Sequence, residues 1–239
     1  MLQHPAYDRA QYAEAVLSLG GCVGYWRLDE AGGTTAKALA GGNGTYTGSP
    51  VLNKPSPVRD GATIGLNGSS MYVTIADASA YSTVTTGQMS WAFWTKPNAT
   101  TTSHVVAKGA GSGSWEWSIM RGLSPIFLDG AAFTAQMWQS SGNSHIVVNS
   151  GANSAPNGEW VHVVCTYRSA VELVIYLNGV QKGRTTAFSS TMVDGTRAVN
   201  IGRRPDNTRY YNGDVGDVAI WNRALSANEV HWLYEEGLR

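Results

Sequence analysis

The chain has little charge and no excess of either sign. Acids and bases number 17 each, so its bulk electrostatics give no reason to expect nucleic acid or an anionic membrane as partner. No apolar run approaches the ~20 residues of a transmembrane helix, and no membrane insertion is expected. Cysteine is scarce. Cys22 and Cys165 cannot build a disulfide framework, and they read as buried free thiols, with a single bridge as the alternative. The five histidines (His4, His104, His145, His162 and His231) are scattered, and no Cys/His spacing suits zinc. The first residues, MLQHPAYDRAQYAEAVLSLGG, lack a basic segment followed by a continuous apolar core. On that pattern no Sec signal peptide is expected in these residues. The expected location is the cytoplasm, or a virion surface if the chain is phage-encoded and released by lysis.

Catalytic patterns are missing too. There is no G-x-S-x-G, and the Gly109–Ser114 loop leads into a strand rather than a helix, so it is no dinucleotide loop. Glycoside hydrolysis needs two carboxyls flanking the bond. No strand carries such a row: Glu116 and Glu172 are lone acids, and Asp29 and Glu30 are adjacent, so they point to opposite faces. Enzymatic activity is not expected.

What the chain does have is 28 glycines, nine Trp and 11 Tyr, a composition suited to many turns and pleated surfaces. The most informative stretch is Glu159–Gly183. Two β-type runs, 160–167 and 171–177, are followed by Asn178-Gly179, a pair that favours the type I′ turn of a hairpin. Further strands are predicted near 22–28, 44–47, 62–66, 71–75, 88–96, 103–108, 114–120, 125–129, 132–138, 145–149, 180–186, 198–202 and 214–221. Gly, Asn, Ser and Pro clusters punctuate them. In 114–120, alternation puts Trp115, Trp117 and Ile119 on one face and Glu116 and Ser118 on the other. Trp91, Trp94 and Trp160 read with these tryptophans as core. Many short strands without intervening helices imply an all-β sandwich or barrel.

Two short helices are predicted at the ends. Residues 8–19 carry Asp8 as N-cap with Gln11 as reciprocal partner, and Tyr12, Ala15, Val16 and Leu19 share a face. So short a helix must dock on something, its own sandwich or a partner. At the other end, Ser226 and Glu229 form a capping box, Leu225 and Val230 a hydrophobic staple, and Gly237 the stop. The organisation expected is a helical arm over 1–21 and one sandwich domain over 22–239.

The pieces YWRLDE (25–30), GTYTG (44–48), YVTI (72–75), SWAFWTKP (90–97), EWVHVVCTYR (159–168), VELVIYLNGV (171–180), NIGRRP (200–205) and YNGDVGDVAIWNRALSANEV (211–230) occur in order. Together they resemble the laminin-G-like, concanavalin A-like jelly-roll domain of bacterial and phage proteins. The resemblance implies two antiparallel sheets packed face to face. It also implies a structural Ca²⁺ at the sandwich rim, with Asp29, Glu30, Asn43 and Asp217 as candidate ligands. The alternative is a turn held by backbone hydrogen bonds alone. The sequence departs from the family here: Ala36-Lys37-Ala38-Leu39 stands where an aspartate turn is usual, and Ser70-Met71 replaces Asp-Asp.

Lectin sites stack sugar rings on exposed aromatics and read hydroxyls with Asn, Asp or Arg. The candidates are Trp138, Arg203, Arg204, Asn207, Arg209, Tyr210 and Tyr211, with a solvated rim loop as the bland alternative. The expected function is a non-catalytic binding or structural module. The first setting is a phage tail, collar or capsid-surface (decoration) protein, displaying the jelly roll for assembly or host-surface adhesion. Its protein partner, in the virion or a homo-oligomer, would bind through the N-terminal helix. The alternative is a stand-alone carbohydrate-binding protein recognising a cell-surface glycan. A glycan hydrolase ranks last.

Overall fold

The computed structural model describes residues 9–59, 61–109, 115–123, 128–139, 145–186 and 192–239. Among the described residues two antiparallel sheets face each other, with a short helix at each end of the chain. The strands in order are β1 (Cys22–Trp26), β2 (Thr35–Ala36), β3 (Ala38–Ala40), β4 (Gly44–Thr47), β5 (Val51–Pro55), β6 (Ala62–Asn67), β7 (Tyr72–Ile75), β8 (Gln88–Pro97) and β9 (Ser103–Gly109). They continue as β10 (Trp115–Leu123), β11 (Leu128–Trp138), β12 (His145–Asn149), β13 (Val161–Arg168), β14 (Glu172–Leu177), β15 (Val180–Thr185), β16 (Val199–Ile201) and β17 (Asn212–Trp221). The helices are α1 (Arg9–Ser18) and α2 (Ala227–Gly237).

One sheet runs β15-β14-β13-β8-β17-β1-β3, with β6 on β17 and β5 on β6. The other runs β12-β11-β10-β9-β16-β7-β4-β2 and has 8 strands. The Asn178-Gly179 turn is the one its residues dictate: both take positive φ, 51° and 74°, and Leu177 pairs with Val180. The short, mostly exposed strands β2, β3 and β5 escape period-2 reading because little of their side-chain surface is buried. The run expected at 125–129 lies partly outside the described residues, and its end continues into the 132–138 run as β11. Asp8 also lies outside them.

The main core fills the space between the sheets. Val161, Val163, Cys165 and Tyr167 of β13 point into it, with Leu173, Ile175 and Leu177 of β14 and Trp26, Trp91, Phe93 and Trp117. A second core lies on the opposite face of the first sheet, where both helices dock. Tyr12 and Val16 of α1, with Leu225, Val230 and Leu233 around α2, cover Tyr25, Trp94, Val164, Val174, Tyr176 and Trp221. The central strand β13 is therefore apolar on both faces because both are covered. The Ser226–Glu229 capping box is present. Gly237, however, lies inside α2 rather than beyond it. A Cβ there would sit 2.6 Å from Trp94, so the glycine permits close approach of helix to sheet.

α1 docks on its own sheet, the first of the two dockings that so short a helix left open. Tyr12, Ala13, Ala15 and Val16 are each at most 6% exposed. The Tyr12 hydroxyl accepts from Trp94 Nε1 at 3.2 Å and lies 3.4 Å from His162 Nε2. Cys22 and Cys165 are free, and burial raises both thiols, Cys22 to about 11. Among the described residues no helix is long and apolar enough to cross a membrane.

Candidate glycan-binding face

The outer face of the 8-stranded sheet carries the candidate site. Strand alternation fixes which side chains reach it. Met137 and Ile146 point into the main core, so their neighbours Trp138 and His145, which pair across β11 and β12, point outward. Trp115 joins them because β10 shifts register between Trp115 and Trp117. That irregularity corrects the simple alternation: Trp117 and Ile119 face the core, while Trp115 faces out and stacks on Trp138. Trp94 is core, but under the helices, and Trp160 is only half-buried beneath Lys96.

The result is an aromatic ladder across four strands. His104 of β9 lies 6.3 Å from Trp115, Trp115 lies 5.3 Å from Trp138, and Trp138 lies 5.4 Å from His145. Trp138 sits on the strand between the other two and is half-buried, so it presents its edge rather than an open ring face. The Arg204 guanidinium caps the ladder, 4.6 Å above the Trp115 ring. Such stacking of cation on π-face is favourable by about 0.5–2 kcal/mol.

The 202–211 loop brings the arginines here. Tyr211 N donates to Gly202 O (2.9 Å), and His104 N donates to Arg209 O (3.0 Å), tying the loop to β9 and β16. Its tip turns through left-handed Asn207 and Arg209 (φ 64° and 48°), with Asp206 Oδ1 accepting from Thr208 N at 3.2 Å. Arg203 lies 3.6 Å over Tyr72, donates from Nε to Asn200 Oδ1 at 2.9 Å, and donates from Nη1 to Asn207 Oδ1. Arg204 pairs with Asp206 at 3.3 Å. Tyr210 packs 6.2 Å from Tyr72 and stays half-buried. Six of the seven sequence candidates thus lie on this face or its flanking loop.

The seventh does not. Tyr211 is fully buried, and its hydroxyl bonds Thr95 at 2.7 Å inside the sandwich. Alternation explains the error: Tyr210 and Tyr211 cannot both face out. His104, His145, Trp115 and Tyr72 were missed as site residues. Register across the consecutive strands β9 to β12 gathers His104, Trp115 and His145, and β16 links Tyr72 of β7 to the same sheet.

His104 is wholly enclosed, and neither ring nitrogen has a hydrogen-bond partner. Burial, with Arg204 and Arg209 nearby, lowers its pKa to about 3, and burial alone does the same to His162. Both imidazoles are neutral. As pH drops from the unfolded value of ~6.5 towards 3, the unfolded chain binds protons that the folded chain refuses, so stability falls. We expect a loss of up to about 1.4 kcal/mol per pH unit for each histidine. A series of urea melts from about pH 7 to about pH 4 checks this. A flat series would contradict it. Glu116 and Asp214, raised by burial, act in the opposite sense at the acid end.

The residues marked for calcium have other duties. Asp29 pairs with Arg27 at 2.8 Å. Glu30 accepts from Lys37 N at 2.7 Å and from the Tyr46 hydroxyl, and Asn43 Oδ1 accepts from Ala38 N at 2.9 Å. Asp217 is 1% exposed and accepts from the Tyr25 hydroxyl at 2.7 Å. Among the described residues no three of His, Cys, Asp or Glu gather closely enough to hold a metal. The turn is held by the side chains of Glu30 and Asn43, which differs from the alternative of backbone hydrogen bonds alone.

Comparison with known proteins supports this architecture. The family model described as the concanavalin A-like lectin/glucanases superfamily matches residues 67–231. Among solved structures, the binding domain of Paraclostridial Mosquitocidal Protein 1 superposes with TM-score 0.67 at 15% identity, over 90% of this chain and 52% of that one. The binding domain of botulinum neurotoxin DC in complex with SialylT gives 0.68 at 15%, over 91% and 52%. That of botulinum neurotoxin serotype D gives 0.69 at 14%, over 92% and 52%. These likenesses show the fold, and the chain spans about half the length of the toxin domains. The human Adhesion G-protein coupled receptor D1 is 32% identical over 80 residues, which is 32% of this chain and 9% of the receptor.

Proposed function

From the premise that this chain belongs to the concanavalin A-like lectin/glucanase superfamily, we propose that it is a non-catalytic module that binds glycan on the outer face of its 8-stranded sheet. The observation that carries this reading is the Trp115–Trp138 ladder, capped by Arg204 and flanked by the arginine-rich loop. The half-buried edges of Trp138 and Tyr210 supply apolar contact for sugar C–H groups, with the buried Trp115 ring beneath as support. Arg203, Arg204, Arg209 and Asn207 supply donors and acceptors for hydroxyls or an acidic sugar. The toxin neighbour solved with SialylT has the same fold, which adds weight. The lone acids argue against hydrolysis: Glu116 is enclosed against Lys108, and Glu172 pairs with Arg184 at 2.7 Å.

Affinity electrophoresis against a glycan panel that includes sialylated chains tests this. The wild type should be retarded by at least one glycan. Trp138→Ala and Tyr210→Ala should each weaken retardation by about tenfold or more. Free migration of the wild type through the whole panel would remove the proposal. Release of reducing sugar would replace it with hydrolysis. Display on a virus particle is a further proposal that rests on the resemblance of the sequence motifs alone. Co-sedimentation with particles checks it, and a chain found only in the soluble fraction counts against it.

A further inference from the structure

On the outer face of the first sheet, away from the ladder, lies a cavity of about 170 Å³ whose lining includes Val51, Lys54, Gly65, Met71, Asn98 and Asp214. The strand pairing builds it. Gly65 of β6 pairs with Asp214 of β17 and with Val51 of β5, and Asp214 pairs on its other side with Lys96 of β8. Val215 points into the main core, so Asp214 points outward, and Gly65 leaves the space over it open. A Cβ on Gly65 would stand 3.2 Å from Asp214 Oδ1 and 3.5 Å from Lys54 Cγ and from Val51 Cβ, inside the cavity.

The electrostatics are unusual for a plain ion pair. Only 3% of the Asp214 side chain is exposed, yet its two cations stand off. Lys96 Nζ is 3.7 Å and Lys54 Nζ 3.9 Å from the carboxylate, beyond direct hydrogen-bond reach and within reach of a bridging group. Lys96 also lies 5.6 Å over Trp160, which holds it in place. Burial raises the Asp214 pKa, and Lys54 and Lys96 pull it back. The carboxylate accepts hydrogen bonds, the ammonium groups donate them, and the two cations leave a local charge of one positive unit. That charge repels metal cations. The complement is a ligand with hydroxyl donors for Asp214 and an anionic group for the lysines. The cavity is smaller than the 300–1,000 Å³ of pockets for drug-sized ligands, which limits it to one small unit.

We propose that this cavity is a second, independent binding site for a single acidic sugar unit of the uronic acid class, whose hydroxyls bond Asp214 while its carboxylate meets Lys54 and Lys96. It shares no residue with the aromatic ladder, so the two sites can fail separately.

Glucuronate and glucose, added to the full chain and followed by amide chemical shifts, are the probes. Glucuronate should shift the amides of Gly65, Asn98 and Met71 in the wild type and bind about tenfold or more tightly than glucose. Asp214→Asn should weaken glucuronate by about ten- to a hundredfold, and Gly65→Val, which fills the cavity, should abolish it. Trp138→Ala should leave it unchanged. Shift mapping on the wild type decides the matter if a variant does not fold. Perturbations confined to the ladder face, no perturbation at any soluble concentration, or equal affinity for glucose would each overturn the proposal.

Discussion

Replacing Lys108 by Met should cost about 3–5 kcal/mol of stability, more than any surface change in this chain. Lys108 is fully buried on β9. Its ammonium donates to Glu116 Oε1, to Ser82 Oγ at 3.0 Å and to Gly195 O at 2.7 Å, and pairs with Asp77 at 3.0 Å. Glu116 is equally enclosed, its Oε2 has no hydrogen-bond partner, and its Oε1 also accepts from Gly195 N at 3.1 Å. Burial pushes its carboxyl up and Lys108 holds it down. Without the lysine, Glu116 must either stay charged in an apolar site or fold protonated, and both are costly. The double variant Lys108→Met/Glu116→Leu removes both charges and should recover most of the loss, because a buried pair often does no better than apolar residues of similar size. Urea denaturation of the three proteins decides. A single variant within about 1 kcal/mol of wild type would mean that water reaches the site. Hydrogen exchange at Gly195 is a second readout, since both its backbone groups are fixed by this pair and should open in the single variant.

This pair also shows why sequence reading stops where it does. Local signals on this chain are strong: the Asn178-Gly179 turn and the SANE capping box each state a local geometry that the fold keeps. Eight motifs in order then give the sandwich. Glu116 read as a lone acid because its partner, only eight residues away, sits on the neighbouring strand, and a spacing of eight does not state the register that brings the two together. The same limit hid His104 and His145, and misplaced Trp115 through one irregularity in β10. Tyr211 was misread for a simpler reason. In YYN composition names both tyrosines as binding residues, but one of two adjacent residues in an extended chain must point inward, and here it is the one that bonds Thr95. Asp217 likewise looked like a rim ligand until α1 closed over its region and the Tyr25 hydroxyl bonded it.

Removal of α1 should destabilise the protein by about 5 kcal/mol or more, rather than leave an intact sandwich lacking an attachment arm. Tyr12 and Val16 each withdraw a large apolar surface from water, worth about 1.5–3 kcal/mol apiece. Their departure also uncovers Tyr25, Trp94 and Trp221, which are now at most 2% exposed. The anchor of the chain after the helix goes as well, since Arg223 donates to the carbonyls of Leu19 and, at 3.1 Å, of Gly20. Truncation has a signature that a general loosening would not give. His162 stacks 4.8 Å from Trp94 and is kept neutral by burial, with the Tyr12 hydroxyl beside it. With the helix gone, water reaches the imidazole and its pKa should return towards ~6.5. The truncated chain should then lose one of the two histidine contributions to the acid limb, while that of His104, on the opposite sheet, persists. Melting curves of the full and truncated chains across the same pH range measure both effects. A truncated protein with unchanged stability and an unchanged acid limb would show that the helix does not hold the second core together.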